Sequence, residues 1–170
     1  AGRLEDGIES AHRPAPSGML WPDWDHPMAF LPVQEGEVRS PDGKSKENPG
    51  EASWVSRVLE ELLDGGELGM NDVGIITPYA GQVRAIRDNM PERLDSVEVR
   101  TVDGYQGREK EVIIFSCVRS NSEGNVGFLS DSRRLNVALT RAKRGLIVIG
   151  DPDTLRHDDD WAAWMDHMRS

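Results

Sequence analysis

The sequence predicts an α/β domain with a mostly parallel sheet of about five strands, covered by helices on both faces. Three observations carry this. The strand-like runs Val73–Thr77 (VGIIT), Val112–Cys117 (VIIFSC) and Leu146–Ile149 (LIVI) are apolar throughout and do not alternate. Continuous apolar runs mark strands buried on both faces. Helical patterns alternate with them, and 170 residues suffice for one domain with a substantial core.

Each element has its own local reason. Residues 1–27 are rich in proline and polar side chains and read as an irregular arm anchored by Trp21 and Trp24. Met28–Val33 is a short apolar strand, and 34–47 is a loop by composition. A helix follows, because Asn48 is a good N-cap and Pro49 suits the first helical position. Trp54, Val55, Val58, Leu59, Leu62 and Leu63 recur at helical spacing, and Gly65–Gly66 end the helix. Strand 73–77 leads to a helix over 82–90, with Val83, Ile86 and Met90 on one face. Strands are expected at 97–102 and 112–117, then a Gly/Asn/Ser loop at 120–130. Asp131 caps a helix running to about Lys143, and strand 146–149 closes the sheet. Trp161, Trp164 and Met168 have helical spacing and dock a last helix, with Asp158–Asp160 at its start, where carboxylates suit the dipole. The implied divisions are an arm (1–27), a main domain (28–156) and a helical tail (157–170).

Composition narrows the function classes. Hydrophobic residues are 37% and charged residues 29%, which fits neither disorder nor a membrane protein. No apolar run reaches membrane-spanning length, and the polar N-terminus predicts no secretory leader. A single cysteine, Cys117, excludes an intrachain disulfide and predicts a reducing, intracellular compartment, cytoplasmic or nuclear. Cys117 falls in an apolar strand and reads as core. The four histidines (His12, His26, His157, His167) lie in terminal segments, away from the loops that follow strands.

The net charge of −10 argues, taken alone, against a polyanionic partner. Its distribution reverses that. Residues 100–144 hold nine Lys/Arg against five Asp/Glu, and all but Lys110 and Lys143 are arginines. Arginine suits phosphate, because its planar fork donates several hydrogen bonds and keeps its charge.

Ligands on open α/β sheets sit at the carboxyl ends of the strands. Gly36–Ser45 (GEVRSPDGKS) ends in Gly-Lys-Ser like a phosphate-binding loop. However, Val38 stands where the first glycine is needed, and the helix starts late, so it reads as a surface loop. Thr101–Glu111 (TVDGYQGREKE) lies between two strands. Its Gly104 and Gly107 permit tight turns, and Gln106, Arg108 and Glu109 bring an amide, a guanidinium and a carboxylate together. In Asp131–Arg144 (DSRRLNVALTRAKR), Arg134 and Arg141 sit two turns apart on one face of the expected helix. Asp131 is the only acid there, so an outside anion is expected. Ile75–Gln82 (IITPYAGQ) turns Tyr79 toward the strand-end face, where a ring can stack a base.

Together, VGIITPY with Gln82, VDGYQGREKEVIIFSCVRSN and GFLSDSRRLNVALTRAK resemble the second RecA-like domain of superfamily 1 helicases, of the up-frameshift and senataxin type. Order and spacing match as well as letters, from about Asn48 to Asp151. Asn48–Ala52 (NPGEA) resembles the start of that domain. The implied fold is a RecA-like three-layer domain. The implied function is the C-terminal motor domain of an ATP-dependent helicase or translocase. Arg141 would be the arginine finger reaching the γ-phosphate. Gln106, Gly107, Arg108, Glu109 and Arg134 go to the nucleotide. Thr77, Pro78, Tyr79, Thr101, Asp103 and Asn136 go to single-stranded nucleic acid, DNA or RNA.

The resemblance also implies what this chain lacks. The phosphate-binding loop, the Mg²⁺ ligands and the catalytic glutamate belong to an upstream RecA-like domain. The chain starts at Ala1, so it reads as a piece of a longer helicase, not expected to hydrolyse ATP alone and holding no metal itself. One alternative is a non-catalytic nucleic-acid-binding module that kept the fold, against which the full arginine motif argues. Another is an unrelated α/β enzyme, which would need its own catalytic group.

Overall fold

The computed structural model describes residues 21, 27–105 and 108–169. Trp24, Gln106 and Gly107 lie outside these. The strands are β1 (Met28–Pro32), β2 (Val38–Arg39), β3 (Lys46–Glu47), β4 (Val73–Thr77), β5 (Glu98–Thr101), β6 (Lys110–Ser116) and β7 (Ala142–Gly150). The helices are α1 (Pro49–Asp64), α2 (Ala80–Asn89), α3 (Ser132–Leu139), α4 (Pro152–Leu155) and α5 (Asp159–Arg169). Five strands form one sheet in the order β1-β7-β6-β4-β5, and every pairing in it is parallel.

The unbroken apolar runs feed two cores. Successive side chains on a strand point to opposite faces. Ile75 and Ile114 therefore join Val55, Leu59, Leu62 and Ile86 under α1 and α2. Ile76, Ile113 and Phe115 join Leu135, Leu139, Trp161 and Trp164 under α3 and α5. Each fully buried large side chain contributes about 1.5–3 kcal/mol. Trp21 is buried in the first core, as an anchor should be, and α5 belongs to the second. This is the α/β, three-layer arrangement expected of a RecA-like domain.

Local signals set most boundaries. Asn48 caps α1, its side chain accepting the Glu51 N–H at 3.1 Å. Asp131 caps α3, accepting the Arg134 N–H at 3.2 Å, and Asp158 accepts the Trp161 N–H at 3.1 Å. The Gly-Lys-Ser segment is no phosphate loop but the turn of the antiparallel β2–β3 hairpin, with Gly43 left-handed at φ +74°. That hairpin lies on the first turn of α2, where Ser45 Oγ accepts the Gly81 N–H at 3.0 Å.

Four expectations are corrected. The 34–47 stretch contains the hairpin. Trp54 faces outward on α1, 36% exposed, with the Arg57 guanidinium 4.5 Å from its ring centre. The helix expected to reach Lys143 stops at Leu139, and Ala142 already pairs with Lys110 in the sheet. Arg134 and Arg141 thus do not share a helix face. Finally, His157 is not remote from the strand-end loops: a Cβ on Gly124 would lie 2.3 Å from its ring.

Candidate functional site

The residues that the resemblance gives to nucleotide and to strand separate along the sheet. At the amino end of β6, the Lys110 N–H donates to the Arg141 carbonyl at 2.9 Å. This ladder step sets Arg141 beside the exposed Arg108 and Glu109, although the two motifs are far apart in sequence. Tyr105 crosses beneath, buried against Ile76 and Ile113, and its hydroxyl donates to the Arg108 carbonyl. Burial, then the nearby Glu98 carboxylate, push the Tyr105 hydroxyl up to about 12, while Arg141 and Arg108 oppose the rise. Tyr105 is therefore neutral, with the Arg108 and Arg141 guanidiniums both near enough to act on its hydroxyl. Guanidiniums of this kind can bind phosphate. Among the described residues, no three His, Cys, Asp or Glu side chains cluster as a metal site.

The other end of the sheet holds Thr77, Pro78 and Tyr79 after β4, and Thr101 and Asp103 after β5. The two turns are joined by the Val102 N–H, which donates to the Thr77 carbonyl at 2.9 Å. Thr101 Oγ1 accepts the Gly104 N–H at 3.0 Å and closes the second turn. Asp103 is exposed and pairs with Arg134 at 3.2 Å. The anion that Arg134 requires is thus internal, and Arg134 stands with the strand-assigned residues rather than beside Arg141. Asn136 is half-buried on α3. Thr77 is fully buried, and its hydroxyl has no hydrogen-bond partner among the described residues.

Tyr79 differs from its expectation as a stacking platform. Tyr79 is 6% exposed, and its hydroxyl accepts from Arg119 Nη1 at 3.0 Å. Arg119, itself buried, donates through Nε to Glu37 at 2.9 Å. Burial works to raise the Glu37 carboxyl, but hydrogen bonds from Asn121, Arg119 and Ser120 outweigh it and hold it below its usual range. The ring that reaches solvent is Phe128, 55% exposed, packed on Tyr79 with centroids 5.5 Å apart. Arg119 and Phe128 both stood in the matched motifs without a role. Each follows a strand or a glycine in a loop, which was the only signal available.

Behind these turns a buried polar network ties α1, α2 and β6 together. Glu51 accepts from Ser116 Oγ at 2.7 Å and from the Val118 N–H at 2.9 Å. Gln82 donates to Ser116 Oγ at 3.0 Å and to the Asn48 carbonyl at 3.1 Å. Cys117 is fully buried, and burial pushes its thiol well above the ordinary value, as suits a core residue.

Comparison with known proteins shows the family. Residues 1–153 match the family described as AAA domain. The chain is 40% identical over 176 residues to regulator of nonsense transcripts 1 of Dictyostelium discoideum, covering 99% of this chain and 13% of that protein. It is 40% identical over 176 residues to the ATP-dependent helicase NAM7 of Saccharomyces cerevisiae, covering 99% of this chain and 18% of that protein. It is 43% identical over 121 residues to DNA-binding protein SMUBP-2 of Rattus norvegicus, covering 71% of this chain and 12% of that protein. The chain thus spans less than a fifth of the length of these relatives. With its parallel sheet, its two motif loops and these matches together, the chain belongs to the AAA domain family and is a RecA-like helicase domain of the up-frameshift type.

Proposed function

We propose that this chain is the second motor domain of a longer ATP-dependent helicase that moves along single-stranded nucleic acid. The observation that carries the reading is the Lys110–Arg141 ladder step. It sets an arginine in a fixed backbone position beside Arg108 and Glu109, at the sheet end away from Tyr79 and Asp103. Two separated sites on one rigid sheet are what a motor needs to link nucleotide state to grip on a strand.

In this reading ATP lies between this domain and an upstream RecA-like domain, which supplies the Mg²⁺ ligands. ATP supplies the phosphoryl group. Glu109 and Arg108 orient the nucleotide, and the Arg141 guanidinium brings a permanent positive charge to the phosphate side. Domain closure and release are of the hinge type. One relative is named a regulator of nonsense transcripts and another a DNA-binding protein, so the kind of strand is read by experiment. The lone buried cysteine fits a reducing compartment, cytoplasmic or nuclear.

The test is ATP hydrolysis by the intact parent with single-stranded DNA or RNA added. Arg141→Ala should lower turnover about 10³–10⁵-fold while sparing most nucleotide binding. Turnover at the wild-type rate would overturn the assignment.

A further inference from the structure

The carboxyl end of the sheet carries a feature that Tyr79 alone does not account for. Phe128 stands outward on a supported turn. Beneath it lie the Tyr79 ring and the Arg119 guanidinium, itself held by Glu37. Gly127 is left-handed at φ +54°, and a Cβ there would lie 2.1 Å from Arg119 Nη1 and 2.7 Å from the Tyr79 hydroxyl. The turn therefore rests directly on the Tyr79–Arg119 pair. From the other side, the buried Trp161 Nε1 donates to the Leu129 carbonyl at 2.8 Å. An exposed ring on so fixed a support keeps its orientation before any ligand arrives.

Phe128 also borders two concave spaces. One is a groove of about 900 Å³ shared with Pro78, Tyr79, the hairpin residues Arg39 and Lys44, and Arg84 in the middle of α2. The other is a small cleft shared with Asp103 and Arg134. The ring thus stands on the line between the hairpin cations and the Asp103 turn. Arg39 and Lys44 are exposed on the hairpin, while Arg84 is paired with Asp42 at 3.1 Å. A ring face flanked by cations matches a chain whose flat bases alternate with phosphates. Phenylalanine's ring reads no hydrogen-bond pattern, so it can stack on any base, as a sequence-tolerant motor requires.

We propose that Phe128, not Tyr79, is the base-stacking residue of the strand site, and that Arg39 and Lys44 of the hairpin take the phosphates. This rests on the strand-binding reading above. Tyr79 and Arg119 are positioning residues that hold the Phe128 turn.

The experiment measures binding by the intact parent, at one fixed salt, to a labelled oligothymidylate and to an abasic oligomer of equal length. Wild type should bind the base-bearing strand more tightly. Phe128→Ala should weaken oligothymidylate binding roughly 5- to 100-fold and leave abasic binding unchanged, and Phe128→Trp should restore it. Arg39→Ala with Lys44→Ala should weaken both strands and lower the salt slope by about two. Wild-type oligothymidylate affinity in Phe128→Ala overturns the stacking assignment while strand binding stands. Equal loss on both strands also overturns it, since that marks a structural role. An acidic peptide that competes as well as oligothymidylate overturns it in favour of a protein ligand. A wild-type parent that binds neither strand overturns the underlying reading instead.

Discussion

Glu51 on α1 accepts the Val118 backbone N–H at 2.9 Å, and Val118 is the one non-glycine described residue with a positive φ, +72°. A β-branched residue held there costs on the order of 1–3 kcal/mol. The bond from Glu51 helps to offset that cost. The twist redirects the chain as β6 ends, so that Arg119 reaches both Glu37 and Tyr79.

Burial raises the Glu51 carboxyl to about 8; the donors Val118 and Ser116 oppose this, and Asp151 adds to the rise. The folded state thus keeps a proton that the unfolded chain has lost between its ordinary value of 4.5 and about 8. Stability should fall as pH rises through that window and level off above it. Glu51→Gln should flatten this slope, so its stability relative to wild type should rise with pH. Denaturant midpoints measured from pH 5 to 9 check this, and equal slopes in the two proteins would sink it. Glu51→Ala, which leaves two buried donors unsatisfied, should cost on the order of 3 kcal/mol near pH 5, and the cost should shrink as pH rises, because the same titrating group is gone.

Trp161 links the last helix to the turn that carries Phe128. Trp161→Phe keeps most of the packing but strands the Leu129 carbonyl, at a cost of about 1–3 kcal/mol. Trp161→Ala should cost about 3–5 kcal/mol. Chemical denaturation gives both values. A Trp161→Phe protein as stable as wild type would show that the hydrogen bond contributes nothing net.

Gly127→Ala should destabilise by more than about 1 kcal/mol, because its backbone is left-handed and its Cβ position is filled by Arg119 and Tyr79. Gly36→Ala meets nothing within 4 Å among the described residues and should stay within about 0.5 kcal/mol of wild type. Thermal denaturation of the pair distinguishes these outcomes, and a neutral Gly127→Ala would contradict the close approach.

The buried, proton-retaining Cys117 thiol should resist alkylation in the native protein and react only on unfolding. Its labelling rate should therefore track the global unfolding equilibrium across denaturant. Fast labelling in native buffer would place the thiol in a more open setting than this fold provides.

Much was legible from the chain itself, and for local reasons. A strand with both faces buried must be apolar at every position, so VGIIT, VIIFSC and LIVI declared the sheet. Caps act within one helical turn, so Asn48 and Asp131 marked their helices by residue type and spacing. The motif letters also carried the family, which the matches bear out.

The remaining features depend on partners distant in sequence. Ala142, Lys143 and Arg144 are good helix formers, so local propensity continues α3. The ladder between Lys110 and Arg141 takes them into β7 instead, since a completed sheet buries more than one further helical turn. Likewise, nothing in the order of residues says that Glu37, Tyr79, Arg119 and Phe128 meet. Spacing along a chain reports which face of an element a residue occupies. Which ring ends beneath and which stays in water is settled only when hairpin, sheet and turn pack on one another.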